Sequence, residues 1–314
     1  MFRLLITRLA AAIPLMFIVA TLVFFMMQLN PVDPTATLLG DDTSPEAVAA
    51  ARADLGIDRP VLTQYTSWLG AAVTGDLGVS WFNGEEVTTL LTRRAKVTFS
   101  IVFGSLLIAI SLGVAMGVTA ALKAGRWQDR TVTVVSSLGI AVPNFWVAII
   151  LAAIFAVRLR WFPAIWTNSR TETPWGWIHT IILPCIALGT ASSAAIARQT
   201  RSAMIGVLQQ DYIRTALAKG LPVRRVIYKH ALRNAAIPVV TLIGFQISAL
   251  IGGTIFVEFI FNIPGLGTIG VESVQRANVP ITLGFVMITT LVVVVANIFL
   301  DMSYAWLNPK VRRA

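Results

Sequence analysis

Few residues in this chain are equipped for bond-making chemistry. Its 314 residues include two histidines, His179 and His230, and one cysteine, Cys185. These are too few for a metal site, and no Ser/His/Asp set can be built around histidines in loop or interfacial positions. Gly is nowhere followed by Lys, so the phosphate-cradling sequence Gly-x-x-x-x-Gly-Lys-Ser/Thr does not occur. Gly265-x-Gly267-x-x-Gly270 matches the dinucleotide fingerprint in letters only. That motif works between a strand and a helix of a βαβ unit, whereas this copy follows an apolar run and Pro264. It reads as turn chemistry, with the glycines supplying positive φ. No catalytic residue, cofactor site or metal ligand is expected.

The stretch with most to offer is instead Asp211-Tyr212-Ile213-Arg214-Thr215-Ala216-Leu217-Ala218-Lys219-Gly220-Leu221-Pro222. Its composition predicts a helix over 207–219, ended by Gly220 and Pro222, and a further helical stretch over 223–234. Ala216, Ala218 and Gly220 carry small side chains, which let another protein's surface approach closely. The stretch sits in a segment of about 38 residues, 198–235, with eight basic residues: Arg198, Arg201, Arg214, Lys219, Arg224, Arg225, Lys229 and Arg233. Taken singly, these cations suit topology and contact with anionic headgroups. The length of the segment and its glycine break exceed what a connector between helices requires.

The elements that must position this segment are membrane spans. Apolar residues make up 56% of the chain and charged residues 13%, where a soluble domain carries about 25% charged. Mean hydropathy is +0.76. Six apolar runs, near 9–29, 99–122, 131–157, 178–197, 236–257 and 281–307, approach or exceed the roughly 20 residues a bilayer requires. They are unbroken rather than alternating, which argues for helices over barrel strands. The first runs for about 21 apolar residues without a small-x-small cleavage site, so it reads as a retained anchor rather than a signal peptide. The interiors of these runs hold almost no ionisable groups, Asp301 near the end of the sixth being the exception, joined by the amides Asn144, Gln246 and Asn297. The net charge of +10 divides unevenly between the two sides. One side holds the N-terminus, the 123–130 turn, the 198–235 segment and the tail, with sixteen basic residues against Asp129 and Asp211. By the positive-inside rule that side is cytoplasmic, and both termini with it. The high isoelectric point therefore reflects topology and not nucleic-acid binding.

On the opposite side, residues 30–98 are expected to form a folded cap. Thr43 and Glu46 have capping-box spacing, Pro45 suits a first turn, and Gly56 stands where a helix would stop. A second helix from Pro60 puts Val61, Tyr65, Trp68 and Ala72 on one face, and Gly75-Asp76-Leu77-Gly78 turns the chain. Trp161, Trp166, Trp175, Trp177 and His179 suit an aromatic belt at headgroup level. The whole of 1–314 reads as one all-α, six-span membrane domain.

The 211–221 stretch resembles the EAA loop of permease subunits in binding-protein-dependent ABC importers, in the form found in the dipeptide/oligopeptide branch. Relative to the general form, Arg214-Thr215 replace Glu-Ala while Ala216 and Gly220 are kept. Leu217 replaces the Arg more usual in the peptide branch. Leu55-Gly56-x-Asp58-x-Pro60 with Gln64-Tyr65, Gly75-Asp76-Leu77-Gly78-x-Ser80, Arg198-x-x-Arg201-Ser202-x-Met204, Pro264-Gly265-Leu266-Gly267 and Asn308-Pro309-x-x-Arg312 are similar to that branch as well. The resemblance implies a multi-pass permease of the bacterial inner membrane that passes short peptides inward. It implies a second permease subunit, an extracytoplasmic substrate-binding protein and two cytoplasmic ATPases that hold the ATP and Mg. It assigns ATPase coupling to Asp211, Tyr212, Arg214, Thr215, Ala216, Ala218, Lys219 and Gly220. The cap, with Tyr65, Trp68 and Asp76, is a candidate contact for the delivery protein. Other substrates of the branch are nickel complexes, glutathione and oligosaccharides. A secondary transporter is the alternative from another class, and would call for coupling groups at the midplane.

Overall fold

The computed structural model describes residues 2–40, 44–167 and 171–307. Thr43 and the tail residues Asn308, Pro309, Lys310, Arg312 and Arg313 lie outside them. Helices account for nearly all of the regular structure. In order they are α1 (Phe2–Gln28), α2 (Pro34–Leu39), α3 (Pro45–Leu55), α4 (Val61–Val73), α5 (Val87–Leu122), α6 (Trp127–Ala141), α7 (Asn144–Leu151), α8 (Pro174–Leu208), α9 (Asp211–Ala218), α10 (Val223–Arg225), α11 (Leu232–Ile260), α12 (Leu266–Gln275) and α13 (Val279–Leu307). Single π-helical stretches extend α7 over Ala152–Arg158 and join α10 to α11 over Val226–Ala231.

Among the described residues, five helices are long and apolar enough to cross a membrane: Ala10–Gln28, Val87–Leu122, Pro174–Leu208, Val223–Ile260 and Val279–Ile298. The predicted third span is not one rod. Its two halves, α6 and α7 with its π extension, are bent by 97° and make a sixth crossing only when taken together. Pro143 explains the break. It lacks an N–H and disfavours helix in the residue before it, and Val142 accordingly has an extended ψ of 124°. Two other predicted boundaries also moved. The second span begins at Val87, so Arg93, Arg94 and Lys96 lie on helix α5 rather than in a loop. The fourth runs from Pro174 to Leu208, so the first eleven residues of the 198–235 segment are helical.

Local signals set the helix starts. Thr173 accepts from the Gly176 N–H at 3.1 Å, with Pro174 at the first helical position of α8. Asp33 does the same for α2, accepting from the Thr35 N–H at 3.0 Å ahead of Pro34. The cap described for α3 is Ser44, whose Oγ accepts from the Ala47 N–H at 3.3 Å. Gly56 ends α3 in the left-handed conformation, φ 66°. Each such cap satisfies a backbone group that the helix end leaves unpaired.

The described residues divide into two compact units, one within 99–263 with 295–307 and one within 2–98 with 264–294. In the first, α8 packs against α6, α7 and α11. Its close partners are chosen by glycine. A Cβ on Gly113 would stand 2.7 Å from Ile196, and one on Gly117 would stand 2.5 Å from the Thr200 side chain and 2.6 Å from the Ala197 carbonyl. Gly113-x-x-x-Gly117 is thus a small-residue stripe that lets α5 and α8 approach closely, as helices in lipid commonly do. In the second unit, Leu77, Val87, Leu90, Leu91, Leu266, Ile269 and Ile281 form a buried cluster. Phe24, Tyr65 and Leu283 form another.

Candidate functional site

The segment singled out by sequence folds as a short helix held down on one face. The predicted continuous helix over 207–219 is interrupted, because α8 stops at Leu208 and Gln210 adopts an extended ψ of 146° before α9 starts at Asp211. Packing accounts for the break. Met204 of α8 and Ile213 of α9 are both buried in one cluster with Val118, Ala121, Val226, Ala231 and Ala235, which requires the chain to turn between them. Tertiary contact here overrides helix propensity. Asp211 sits in the first turn of α9, where the helix dipole favours a carboxylate.

The far end closes as a Schellman motif. Leu221 N–H donates to the Ala216 carbonyl at 3.3 Å, Gly220 N–H donates to the Leu217 carbonyl at 3.0 Å, and Gly220 has φ +77°. Leu221 and Ala216 pack against the same cluster. The glycine is present for its backbone conformation; a Cβ there would meet no atom of this chain within 4 Å.

Most of the candidate residues are presented outward. Asp211, Arg214, Thr215, Ala218, Lys219 and Gly220 are exposed, and Leu217 is 44% exposed. Arg214 stands 3.6 Å from Asp211, a surface pair of little energetic weight. Thr215 bonds back to the Asp211 carbonyl at 3.0 Å. Tyr212 is partly exposed, and its hydroxyl accepts from Asn234 Nδ2 at 3.0 Å, tying α9 to the start of α11. Such a surface offers shape, two cations and a small-residue edge to a partner. It holds no buried group poised for proton transfer.

Sequence reading counted Asp129 among the cytoplasmic charges and placed Arg201 in a motif similar to the peptide branch, but did not connect them; the fold pairs them. Asp129 lies in the first turn of α6 with its side chain 6% exposed. It accepts from both Nε and Nη2 of Arg201, the latter at 2.8 Å, and from the Gly125 N–H at 2.9 Å. Three further residues were passed over. Gly113-x-x-x-Gly117 carried a recognisable small-residue signal in an apolar run. Glu258, just beyond the predicted fifth span, is fully buried in α11.

The 30–98 candidates occupy different positions. Tyr65 is buried on α4, with its ring 5.2 Å from Phe24 and its hydroxyl 2.7 Å from Thr21 Oγ1. Trp68 stacks on Phe24 at 6.5 Å. Both therefore fasten α4 to α1, while Leu62 and Val73 on α4 point outward, 67% and 81% exposed. Asp76 is exposed and accepts from the Gly78 N–H at 2.8 Å within the turn.

Other sequence readings resolve similarly. His179 lies against Phe162 at 4.9 Å and Trp175 at 6.4 Å, and Trp166 and Trp177 meet edge to face at 5.2 Å. Cys185 is buried beside Gly104, where a Cβ would stand 2.6 Å from its sulfur. Gly265, Gly267 and Gly270 do not supply positive φ as expected. Gly265 is the extended N-cap of α12, the other two lie inside that helix, and the left-handed residue of the turn is Asn262, φ 48°. Gly270 is instead small for packing, since the Phe285 ring lies 2.7 Å from where its Cβ would be.

Comparison with known proteins agrees with this architecture. Residues 113–313 match the model of the binding-protein-dependent transport system inner membrane component, and residues 1–102 match the N-terminal model of such membrane components. The chain belongs to that family. It is 38% identical over 312 residues to a putative peptide transport system permease protein of Brucella abortus, covering 99% of each chain. It is 37% identical over 307 residues to the glutathione transport system permease protein GsiC of Escherichia coli K12, covering 98% of each. A solved inward-facing MetNI methionine ABC transporter shares the fold, with a TM-score of 0.56 at 17% identity over 70% of this chain and 97% of that one. The protein is thus a permease subunit of the ABC importer class, an all-α multi-pass protein of the bacterial inner membrane, and not itself an enzyme.

Proposed function

We propose that this permease and a second, related subunit form the gated path of an ATP-driven importer that carries short peptides into the cytoplasm. Two ATPase subunits hold and hydrolyse MgATP, and an extracytoplasmic binding protein delivers the substrate. In this reading both termini, the α5–α6 turn and the 198–235 segment face the cytoplasm, the orientation favoured by the charge asymmetry. The observation that carries the reading is α9. It is a short helix anchored by the buried Ile213, closed at a left-handed Gly220, and exposed along the edge bearing Arg214, Leu217 and Ala218. Seated in a cleft on one ATPase, such an element passes on the closure of that subunit, because it is fixed to the membrane helices through packed side chains. Both nucleotide and the loaded binding protein then bias one two-state assembly.

The peptide assignment is supported by the relative named as a peptide permease and by GsiC, whose named cargo is itself a tripeptide. The test is to reconstitute the complex and measure ATP hydrolysis with binding protein loaded with dipeptide, oligopeptide or glutathione. Stimulation by a peptide-loaded protein is expected. Response to glutathione alone would move the substrate, and proton-driven uptake without ATP would sink the importer mechanism. The α2–α4 segment is assigned to contact with the delivery protein. Cysteines at the outward positions Leu62 and Val73 should cross-link to it, and no capture in an active complex would leave the segment structural.

A further inference from the structure

The bidentate pair Asp129–Arg201 ties the first turn of α6 to α8 at a particular level. Arg201 lies one turn before Met204, the α8 residue that shares a buried cluster with Ile213 of α9. Asp129 also accepts from Gly125, so the pair gathers the α5–α6 turn onto the same point. At its other end, α6 runs straight into the 97° bend at Val142–Pro143. A broken helix at membrane depth exposes backbone groups that must face protein or water. The break in this crossing thus lies on the same helix as Asp129.

We propose that the Asp129–Arg201 pair is the positioning link that carries displacement of α9, through α8, to α6 and its bend. The inference rests on the docking role assigned above to α9. Stability alone does not call for the pair, because replacing a buried ion pair by well-packed apolar residues is often neutral or stabilising. What an apolar replacement lacks is direction. Two parallel N–H···O bonds set both the distance and the angle between the two helices, whereas apolar contact lets them slide. The glycine contacts of Gly113 and Gly117 already fix α5 against α8. Against α6 the approach is looser: a Cβ on Gly139, nearer the bend, would stand 3.0 Å from the Ala194 Cβ. The pair is the directional tie at the end close to α9.

The experiment uses the assembled complex with its ATPases and a peptide-loaded binding protein. Four permease variants are compared with wild type: Asp129→Asn, Arg201→Lys, the conservative Asp129→Glu, and the apolar double Asp129→Leu with Arg201→Met. Thermal melting and co-purification of the ATPases report assembly. The ratio of hydrolysis with and without loaded binding protein reports coupling. The apolar double variant is expected to assemble and melt like wild type while its stimulation ratio falls by about 5-fold or more, within the usual span of coupling between sites. Asp129→Glu, which keeps the charge pair, is expected to retain more of the ratio than Asp129→Asn. A wild-type ratio in the apolar double variant would overturn the proposal. So would failure of both that variant and Arg201→Lys to assemble, since the pair would then serve folding. A cysteine at Thr215 separates this from the reading it rests on. If that cysteine does not cross-link to an ATPase in the wild-type complex, the docking role itself is wrong. If it does and the ratios are unchanged, only the positioning link is wrong.

Discussion

Replacing Gly220 separates two reasons why a glycine ends α9. At φ +77°, any L-side chain pays for the left-handed conformation, and nothing within 4 Å adds a clash from this chain. The intrachain cost of Gly220→Ala is thus conformational only, about 1–2 kcal/mol. That reduces the share of molecules with α9 properly closed by about 5- to 30-fold relative to open forms. Asn tolerates the left-handed region far better than Ala. If Gly220 served only its own turn, Gly220→Asn would restore function and Gly220→Ala would not. If α9 is seated against an ATPase, Gly220→Asn is expected to melt close to wild type yet lose most of the stimulation of hydrolysis by loaded binding protein. Ala218→Leu is the companion variant. Ala218 is exposed at the last turn of α9, so Leu there costs the free chain little. Its effect reads close approach without backbone strain. Melting temperature, co-purification of the ATPases and the stimulation ratio are measured side by side. Wild-type ratios in both Gly220→Asn and Ala218→Leu would refute the argument that a partner surface packs against this edge.

Other substitutions test the packing. Gly117→Leu must push into Thr200 and the Ala197 carbonyl; overpacking of about 1–3 kcal/mol is expected, seen as lower yield and melting temperature. Gly70→Ala, in α4 with open space around its Cβ, should instead stabilise by roughly 0.5–1 kcal/mol. Tyr65→Phe deletes the bond to Thr21 and is expected to cost about 0.5–1.5 kcal/mol. Tyr65→Ala also empties the site beside Phe24, costing about 3–5 kcal/mol by analogy with large aromatic truncations. Limited proteolysis of residues 30–86 reads both changes. The Thr35 hydroxyl, with the Arg52 guanidinium 2.5 Å away, holds the Asp33 carboxyl below its usual range. A carboxylate lowered in the folded state adds stability above its unfolded pKa of about 3.9, lost only as pH falls through the folded value. Protection of the α2–α3 region by this group should therefore be flat from about pH 8 to 5 and decline below about pH 4. Asp33→Asn should abolish that acid limb, and an unchanged profile in the variant would contradict the assignment.

Much of the architecture was legible because lipid simplifies the code. A span must be about 20 apolar residues of helix, and runs such as 99–122 announce themselves without reference to any neighbour. The family resemblance was also carried locally, by Asp211 to Leu221, and Gly220 ends its helix as its type and position suggested. Reading failed where the cause lay off the segment. The bend at Val142–Pro143 had a local signal in the proline, but a 27-residue apolar run at 131–157 outweighed it. The interruption at Gln209–Gln210 had none, because it arises from Met204 and Ile213 sharing one buried cluster. The face of α4 bearing Tyr65 and Trp68 was identified, yet periodicity cannot tell whether an apolar face meets a partner or the protein's own helix. Here it meets Phe24 of α1.

Sequence alone determined the solvent of this protein, its helical class, its family and the short stretch that marks its coupling segment. Those follow from composition, run length and residues adjacent in the chain. Tertiary structure decided which charges matter. Asp129 and Arg201 are 72 residues apart, one an acid among sixteen cytoplasmic cations and the other part of a separate motif, and nothing local to either names its partner. Only helix packing brings them within hydrogen-bond distance and takes the carboxylate out of water. The energy of an ion pair depends on distance and burial, and neither is written in residue types.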